Sequence, residues 1–160
     1  VGLPMPIIIA ALIAISFHII MNLTTLGKRI YAVGGNEEAA RLSGINVSRT
    51  LILLYVLCGA TAALAGIVLA SRVGVGDPNV GIGFELQVIA AVIIGGTSLS
   101  GGEGRIIGTI IGGLIIAVLA NGLNLAGVEP FWQWVAQGIV LIVAIVVDRK
   151  VQDGVNRAKK

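Results

Sequence analysis

The sequence is poor in the residues that build catalytic and metal-binding sites. Its 160 residues include one histidine, His18, and one cysteine, Cys58, and only 12% of them are charged. No acidic residue lies in the apolar middle of a candidate membrane span, so neither a metal site nor an intramembrane proton relay can be assembled from this chain. A single cysteine also cannot form an internal disulfide. We therefore expect no catalytic residues, no metal and no cofactor.

Glycine loops of the kind that bind nucleotides are also missing. No G-x-x-x-x-G-K-[ST] sequence occurs, and Gly102-Glu103-Gly104 lacks the third glycine of a dinucleotide-binding motif, since Ile107 occupies that position. The chain therefore has no recognisable ATP site of its own.

Small residues instead recur at every fourth position in two apolar segments, a spacing that allows helices to pack closely. The two sets are Gly104, Gly108 and Gly112, and Ala62, Gly66 and Ala70. We interpret both as helix-packing surfaces in preference to hinges. The pair Gly95-Gly96 is different, because a short helix that breaks there would expose backbone to a cavity, and a moving gate at this point is a further hypothesis.

Apolar sequence is abundant. Hydrophobic residues make up 56% of the chain, and the mean hydropathy is +1.00. These values predict an integral membrane protein, an all-α polytopic bundle. We predict five membrane crossings, at residues 4–21, 51–71, 86–97, 106–126 and 131–147. By length alone the third of these segments would be a re-entrant half-helix, because a crossing needs about 20 apolar residues.

The basic residues predict the orientation of these crossings. Most of them lie in the loop at residues 25–50 and in the tail at residues 148–160, which the positive-inside rule assigns to the cytoplasm. An even number of crossings must separate loop and tail, so residues 86–97 are counted as one. The N-terminus is then outside, and without an initiator Met or a basic flank it predicts a fragment of a longer chain. Basic residues placed beside apolar runs argue against a nucleic-acid partner.

The cytoplasmic loop contains a short polar segment with helix-capping residues at both ends. Asn36 is a favourable N-cap, Glu37 and Glu38 place negative charge in the first turn, Arg41 lies four residues after Glu37, and Gly44 suits a left-handed C-terminal position. The pattern predicts an amphipathic helix of about two turns. So short a helix needs a docking surface to be rigid; the alternative is an ordinary solvated loop helix.

Three segments resemble the permease subunits of ribose-type bacterial ABC sugar importers. They occur in order over nearly the whole chain and read LGKRIYAVGGNEEAARLSGINV at residues 26–47, AAVIIGGTSLSGGEGR at 90–105 and NGLNLAGV at 121–128. The resemblance implies the C-terminal half of an inner-membrane permease that is not itself an enzyme. Such a permease works as a pair, with partner ATPase subunits that bind the ATP and with a periplasmic sugar-binding protein.

In that family a coupling helix in the cytoplasmic loop sits in a cleft of the ATPase and transmits its movement to the membrane helices. The resemblance assigns this role to Asn36, Glu37, Glu38, Ala39, Ala40, Arg41, Leu42, Ser43 and Gly44. We expect the two small alanines to allow close approach to the ATPase and the charges to fix the register. On this interpretation Ala40→Trp uncouples ATP hydrolysis from transport.

A transported sugar needs polar groups along its path. Asn121 and Asn124 are candidates, since they share one helix face and unpaired amides are costly in hydrocarbon; a hydrogen bond between helices is the alternative. Thr97 and Ser98 are further candidates. We expect ribose or a related monosaccharide, with xylose and galactose as alternatives. The rival from a different class is an ATP-independent channel or facilitator.

Aromatic residues are few, at 4% of the chain, but Phe131, Trp132 and Trp134 form a cluster. This position suits an anchor in the interfacial layer of membrane lipid. We prefer this interpretation to docking of the binding protein on the outer surface.

Overall fold

The computed structural model describes residues 4–76 and 81–158. Every regular element in these two ranges is a helix. They are α1 Met5–Leu23, α2 Thr25–Gly35, α3 Glu37–Leu42, α4 Val47–Val73, α5 Phe84–Ile94, α6 Ile106–Leu125 and α7 Pro130–Ala158. The chain divides into two compact units, the first with α1 to α4 and the second with α5 to α7. The all-α prediction is confirmed.

Three of these helices, α1, α4 and α6, are long and apolar enough to cross a membrane. They contain 19, 27 and 20 residues, which corresponds to about 28, 40 and 30 Å against a hydrocarbon core of about 30 Å. The apolar helix α5 has 11 residues and is only about 16 Å long. The apolar part of α7 is Phe131–Val146. The polytopic helical architecture is thus confirmed, and the total of five crossings stays a prediction.

Two segments are more helical than we expected. The loop that we predicted to be cytoplasmic contains α2 in addition to the capped helix, although α2 includes the helix-disfavouring residues Gly27, Gly34 and Gly35. The predicted tail after residue 147 continues the helix α7 as far as Ala158. In both segments, helix is formed outside the apolar runs from which we predicted the membrane crossings.

The first corner of the chain lies at Thr24, between α1 and α2. The Thr24 hydroxyl donates to the carbonyl of Ile20 at 2.6 Å and accepts from the N–H of Gly27 at 3.4 Å. Gly27 is buried, and a Cβ there would collide with the carbonyl of Met21. A glycine is therefore required where α2 turns back against the end of α1.

In the second unit the backbones of α5 and α6 touch. A Cβ added at Gly108 would fall on the carbonyl of Gly95, and one added at Gly112 would fall on the carbonyl of Ala91. The predicted close packing is confirmed for these two glycines of α6. Gly104 precedes the helix and faces the side chain of Thr97. Near this contact Ala90, Ala91 and Ile116 form a buried cluster, with Ile94, Val140 and Leu141 packed against it.

The second small-residue set lies on α4 and is exposed. No atom lies within 4 Å of a Cβ built at Gly66. Close packing of this face stays a prediction, because nothing in the described ranges covers it.

The predicted helix break at the glycine pair is confirmed. The helix α5 ends at Ile94, and Gly96 adopts a left-handed conformation with a φ of 81°. The N–H of Gly96 donates to the carbonyl of Ile93 at 2.9 Å, and the N–H of Thr97 to that of Val92 at 3.1 Å. This is a Schellman motif, which satisfies the last carbonyls of the helix.

Two adjacent glycines of α6 give opposite expectations for stability. Gly112→Ala forces α5 and α6 apart and lowers the free energy of unfolding by about 1–3 kcal/mol. Gly113→Ala meets no atom within 4 Å and raises it by up to about 1 kcal/mol through helix propensity. Thermal unfolding of the purified protein in detergent measures both, and equal shifts in the unfolding temperature would contradict the contact between α5 and α6.

Candidate functional site

The polar helix α3 begins at a corner that Asn36 builds. The N–H of Asn36 donates to the carbonyl of Ala32 at 3.1 Å and so ends α2. Its side-chain oxygen accepts from the N–H of Ala39 at 2.9 Å and so caps α3. The predicted N-cap is confirmed, and one residue with an extended backbone joins two helices.

The other end of α3 is a second Schellman motif. Gly44 has a φ of 81°, its N–H donates to the carbonyl of Arg41 at 3.0 Å, and the N–H of Ile45 donates to that of Ala40 at 3.0 Å. The predicted left-handed glycine is therefore confirmed. The helix ends at Leu42, and Ser43 is the C-cap, with its hydroxyl donating to the carbonyl of Ala39 at 2.8 Å.

One residue of α3 is buried inside the first unit. The side chain of Ala40 is only 3% exposed and forms a cluster with Val33 of α2 and Val47 of α4, against which Ile45 packs. The expectation that Ala40 lies on a surface open to a partner is wrong, because α2 and α4 cover it. Ala39 is exposed. The docking surface that so short a helix needs is thus provided within the chain, by α2 and α4.

The outer face of α3 is polar with one large apolar side chain. Arg41 and Glu37 form the ion pair predicted from their spacing, at 3.0 Å, with 70% and 59% of the side chains exposed. Leu42 is 85% exposed, and Glu38 is exposed beside them. An exposed pair of this kind stabilises a helix by about 0.3–0.5 kcal/mol. The face therefore adds little to folding and remains open for contact.

The helix α4 starts two residues after the Schellman motif of α3. Asn46 caps it by accepting from the N–H of Arg49 at 3.0 Å, and the hydroxyl of Thr50 donates to the carbonyl of Asn46 at 2.9 Å. The first residue of α4, Val47, belongs to the cluster around Ala40. The helix α3 is therefore in direct packing contact with a 27-residue helix of membrane-spanning length.

Two of the predicted path residues, Thr97 and Ser98, lie half-buried in the connection between α5 and α6. The N–H of Ser98 donates to the carbonyl of Glu103 at 3.0 Å. The methyl carbon of Thr97 would lie 3.0 Å from a Cβ built at Gly104. Both residues are thus held by local contacts within the connection.

The other two predicted path residues, Asn121 and Asn124, are exposed near the C-terminal end of α6. Their spacing puts them on one face. The structure does not bring them together with Thr97 and Ser98, which precede the opposite end of the same helix. No hydrogen bond from either amide to another helix is found within the described ranges.

Sequence reasoning found the caps of α3 and missed its inner contacts. The packing partner Val33 lies on α2, whose glycine-rich sequence gives a weak helix signal. The apolar residues Ile45 and Val47, directly after Gly44, were the available signal, since an apolar residue after a left-handed glycine commonly packs back on the helix.

The class of protein follows from these features. Helices of spanning length flank a short, capped helix that is fixed on one face and open on the other. These features are those of an integral membrane protein with a short, packed polar helix outside its long apolar helices.

The comparisons with known proteins agree with this class. Residues 2–145 match the family described as "Branched-chain amino acid transport system / permease component". The chain belongs to this family of permease components. No match is found among solved structures.

Several curated relatives are sugar permeases. The chain is 48% identical over 151 residues to the ribose import permease protein of Escherichia coli strain K12, covering 94% of this chain and 47% of that protein. It is 50% identical over 149 residues to the ribose import permease protein of Bacillus subtilis strain 168, with 93% and 46% covered. It is 47% identical over 148 residues to the L-arabinose transport system permease protein of E. coli K12, with 92% and 45% covered. The chain spans about half the length of these relatives.

Two neighbouring alanines of α3 test its orientation. Ala40→Leu overpacks the contact with Val33 and Val47 and lowers the free energy of unfolding by about 1–3 kcal/mol. Ala39→Leu adds the same volume on the exposed side and leaves stability within about 0.5 kcal/mol. Hydrogen exchange of the α3 backbone, measured with thermal unfolding, checks both. Faster exchange in the Ala39 variant alone would contradict the orientation.

Proposed function

We propose that this chain is part of the permease subunit of an ATP-binding-cassette importer that carries a monosaccharide across the bacterial inner membrane. Ribose is the first candidate. The permease does no chemistry of its own, and ATP is bound and hydrolysed by a separate ATPase subunit. Movement of the ATPase reaches the membrane helices through α3, the coupling helix.

The geometry of α3 is the single observation that carries this proposal. Force transmission requires an exposed surface to which a partner can bind. It also requires a close-packed contact between that surface and a membrane helix. The open face with Glu37, Arg41 and Leu42 supplies the first, and the buried contact of Ala40 with Val47 supplies the second. A solvated loop helix would need neither the double capping nor the buried face.

The proposed assembly has two permease subunits, two ATPase sites and a periplasmic sugar-binding protein. With five crossings the N-terminus of this chain is outside and its C-terminus is cytoplasmic. This orientation puts α3 on the same side as the ATPase, as coupling requires. The exposed ring pair Phe131 and Trp134, in edge-to-face contact at 5.7 Å, then lies at the outer interface with lipid.

The sugar is proposed from the relatives. The names of those compared include ribose and L-arabinose, both pentoses, at almost equal identity, so identity alone does not select one sugar. Xylose, galactose and another small solute stay as alternatives. The rival class is an ATP-independent channel. Such a channel would have no use for a short, capped helix outside the membrane such as α3.

Uptake by the full-length permease, expressed with its binding protein and ATPase, tests the function. We expect uptake of labelled ribose that needs ATP hydrolysis and resists an excess of unlabelled xylose, galactose or leucine. Inhibition by one competitor would transfer the assignment to that solute. Uptake that continues when the ATPase is inactivated would refute the ABC importer.

A pair of exposed apolar residues tests the coupling helix. Leu42→Asp places a charge on the open face of α3, and we expect uptake to fall about tenfold, which corresponds to about 1.4 kcal/mol of lost contact. Val75→Asp is the matched control, because Val75 is 65% exposed and follows the far end of α4. Thermal unfolding is expected to be unchanged in both. Normal uptake by the Leu42 variant, or equal losses in both, would remove α3 from the mechanism.

A further inference from the structure

Three basic side chains of the first unit lack an acidic partner. Lys28, Arg29 and Arg49 are exposed, and none of them is in an ion pair with a carboxylate of the described residues. Arg41 differs, because it is paired with Glu37 at 3.0 Å. Three positive charges are therefore available to an anion from outside these residues.

Lys28 and Arg29 lie at the level where α1 leaves the bilayer. The 19 residues of α1 extend about 28 Å, close to the hydrocarbon thickness of about 30 Å, so its last turn lies at the edge of the hydrocarbon. Gly27 touches this turn, since a Cβ there would collide with the backbone of Met21. The two basic residues follow Gly27 directly, and each residue advances only about 1.5 Å along a helix. They therefore lie in the headgroup layer, which extends about 5–8 Å beyond the hydrocarbon.

The exposed face of α2 directs these two charges away from the protein. Val33 is buried on the inner side of the helix, whereas the residues that share the outer face are exposed, namely Thr25, Lys28, Arg29 and Ala32. The two uncharged members of this face, one turn before and one turn after the charges, have small side chains. A headgroup can therefore approach the two basic residues closely.

Arg49 lies at the same membrane boundary, on α4. The helices between α1 and α4 have 11 and 6 residues and are too short to cross the bilayer, so α4 enters on the side where α1 leaves. Arg49 is the third residue of α4, two residues before the apolar run begins at Leu51. Its N–H donates to the side-chain oxygen of Asn46 at 3.0 Å, which fixes the backbone. The exposed guanidinium is then left to reach the headgroups.

Phosphate is the anion that this layer offers. A guanidinium binds phosphate oxygens through two parallel hydrogen bonds, and an ammonium attracts them as a compact charge. The positive-inside rule assigns such residues to one side of the membrane without requiring that they bind anything. The missing carboxylate partners and the level of the three residues add that requirement, because an anionic headgroup would be their nearest counter-charge.

We propose that Lys28, Arg29 and Arg49 form a binding surface for the phosphate headgroups of anionic phospholipids. The surface lies in the leaflet where α1 leaves and α4 enters. It goes beyond the proposed function, since it needs neither a sugar nor an ATPase. An acidic surface of a partner protein is the alternative occupant. The level of the three residues favours lipid, because a protein would have to displace the headgroups to reach them.

Fluorescence quenching next to the surface tests the proposal. The full-length permease, without native cysteines and including Cys58→Ala, carries a fluorophore at Ala32→Cys and is reconstituted in phosphatidylcholine bilayers. Phosphatidylglycerol or phosphatidylcholine, each with the same spin label near its headgroup, is added as the quencher. We expect phosphatidylglycerol to be preferred at least fivefold at this position, the factor that corresponds to about 1 kcal/mol for one basic residue near an anionic surface. High salt is expected to reduce the preference.

Matched variants separate the three charges from the rest of the protein. Combining Lys28→Gln, Arg29→Gln and Arg49→Gln is expected to abolish the preference. The unfolding midpoint is expected to stay the same, because exposed glutamine is well tolerated in helices. Exchanging the charges, with Lys28→Arg and Arg29→Lys, is expected to keep the preference. Arg72→Gln is the control at the far end of α4, where loss of one charge is expected to leave quenching at residue 32 unchanged.

Three outcomes would overturn the surface. Equal quenching by the two lipids in the wild type, or a preference that survives the triple substitution, would show that these charges do not bind lipid. Competition by soluble glycerol phosphate as strong as that by phosphatidylglycerol would make it a general phosphate site. A triple variant that keeps the lipid preference but binds the ATPase less tightly would assign the charges to a protein partner. Absence of sugar transport would refute the proposed function alone, since no step of this test uses sugar or ATP.

Discussion

Pairing of backbone polar groups is the constraint on which the rest of this structure depends. A helix end in or beside a bilayer must satisfy its last carbonyl groups from within the chain. The helices α3, α5 and α6 do so in the same way, with a left-handed glycine at Gly44, Gly96 and Gly127 and two backbone hydrogen bonds that close the end. Because glycine adopts this conformation without steric cost, these three positions decide where each helix stops and where each connection begins.

The two units hold their helices together by different physical means. Around α3 the contact is a cluster of Val33, Ala40 and Val47, which the hydrophobic effect stabilises where water is nearby. Between α5 and α6 the contact is backbone against backbone at Gly108 and Gly112. In lipid the hydrophobic effect no longer drives helices together. Small residues instead allow the backbones to approach closely, and van der Waals packing stabilises the contact. The residues of each contact thus suit the surroundings that the proposed topology gives it. These are water for the cluster at α3 and lipid for the glycine contact between α5 and α6.

Local signals in the sequence predicted the ends of helices well, and tertiary signals were weak. Asn36, Gly44 and Gly96 could be interpreted alone, because a cap or a left-handed turn depends on a few neighbouring residues. The inward orientation of Ala40 could not, because it depends on α2, a helix that packing stabilises against its own glycines. The burial of Gln137, a residue of α7 that is only 7% exposed, was missed for a related reason: one polar residue in an apolar run has no periodicity, and its burial depends on the helices packed around it.

The two faces of α3 have different roles, with the inner face stabilising the fold and the outer face proposed to bind a partner. Its caps and the buried Ala40 fix the helix, so they determine whether a rigid surface exists at all. The exposed ion pair of Glu37 and Arg41 contributes little to folding, and because Leu42 is 85% exposed, its replacement by a polar residue is expected to cost little stability. The outer face can therefore be shaped by what it contacts, while the inner face is constrained by the chain itself. A helix of six residues can serve in the proposed coupling only under this division, since a helix that loosened whenever its surface changed would pass no displacement to α4.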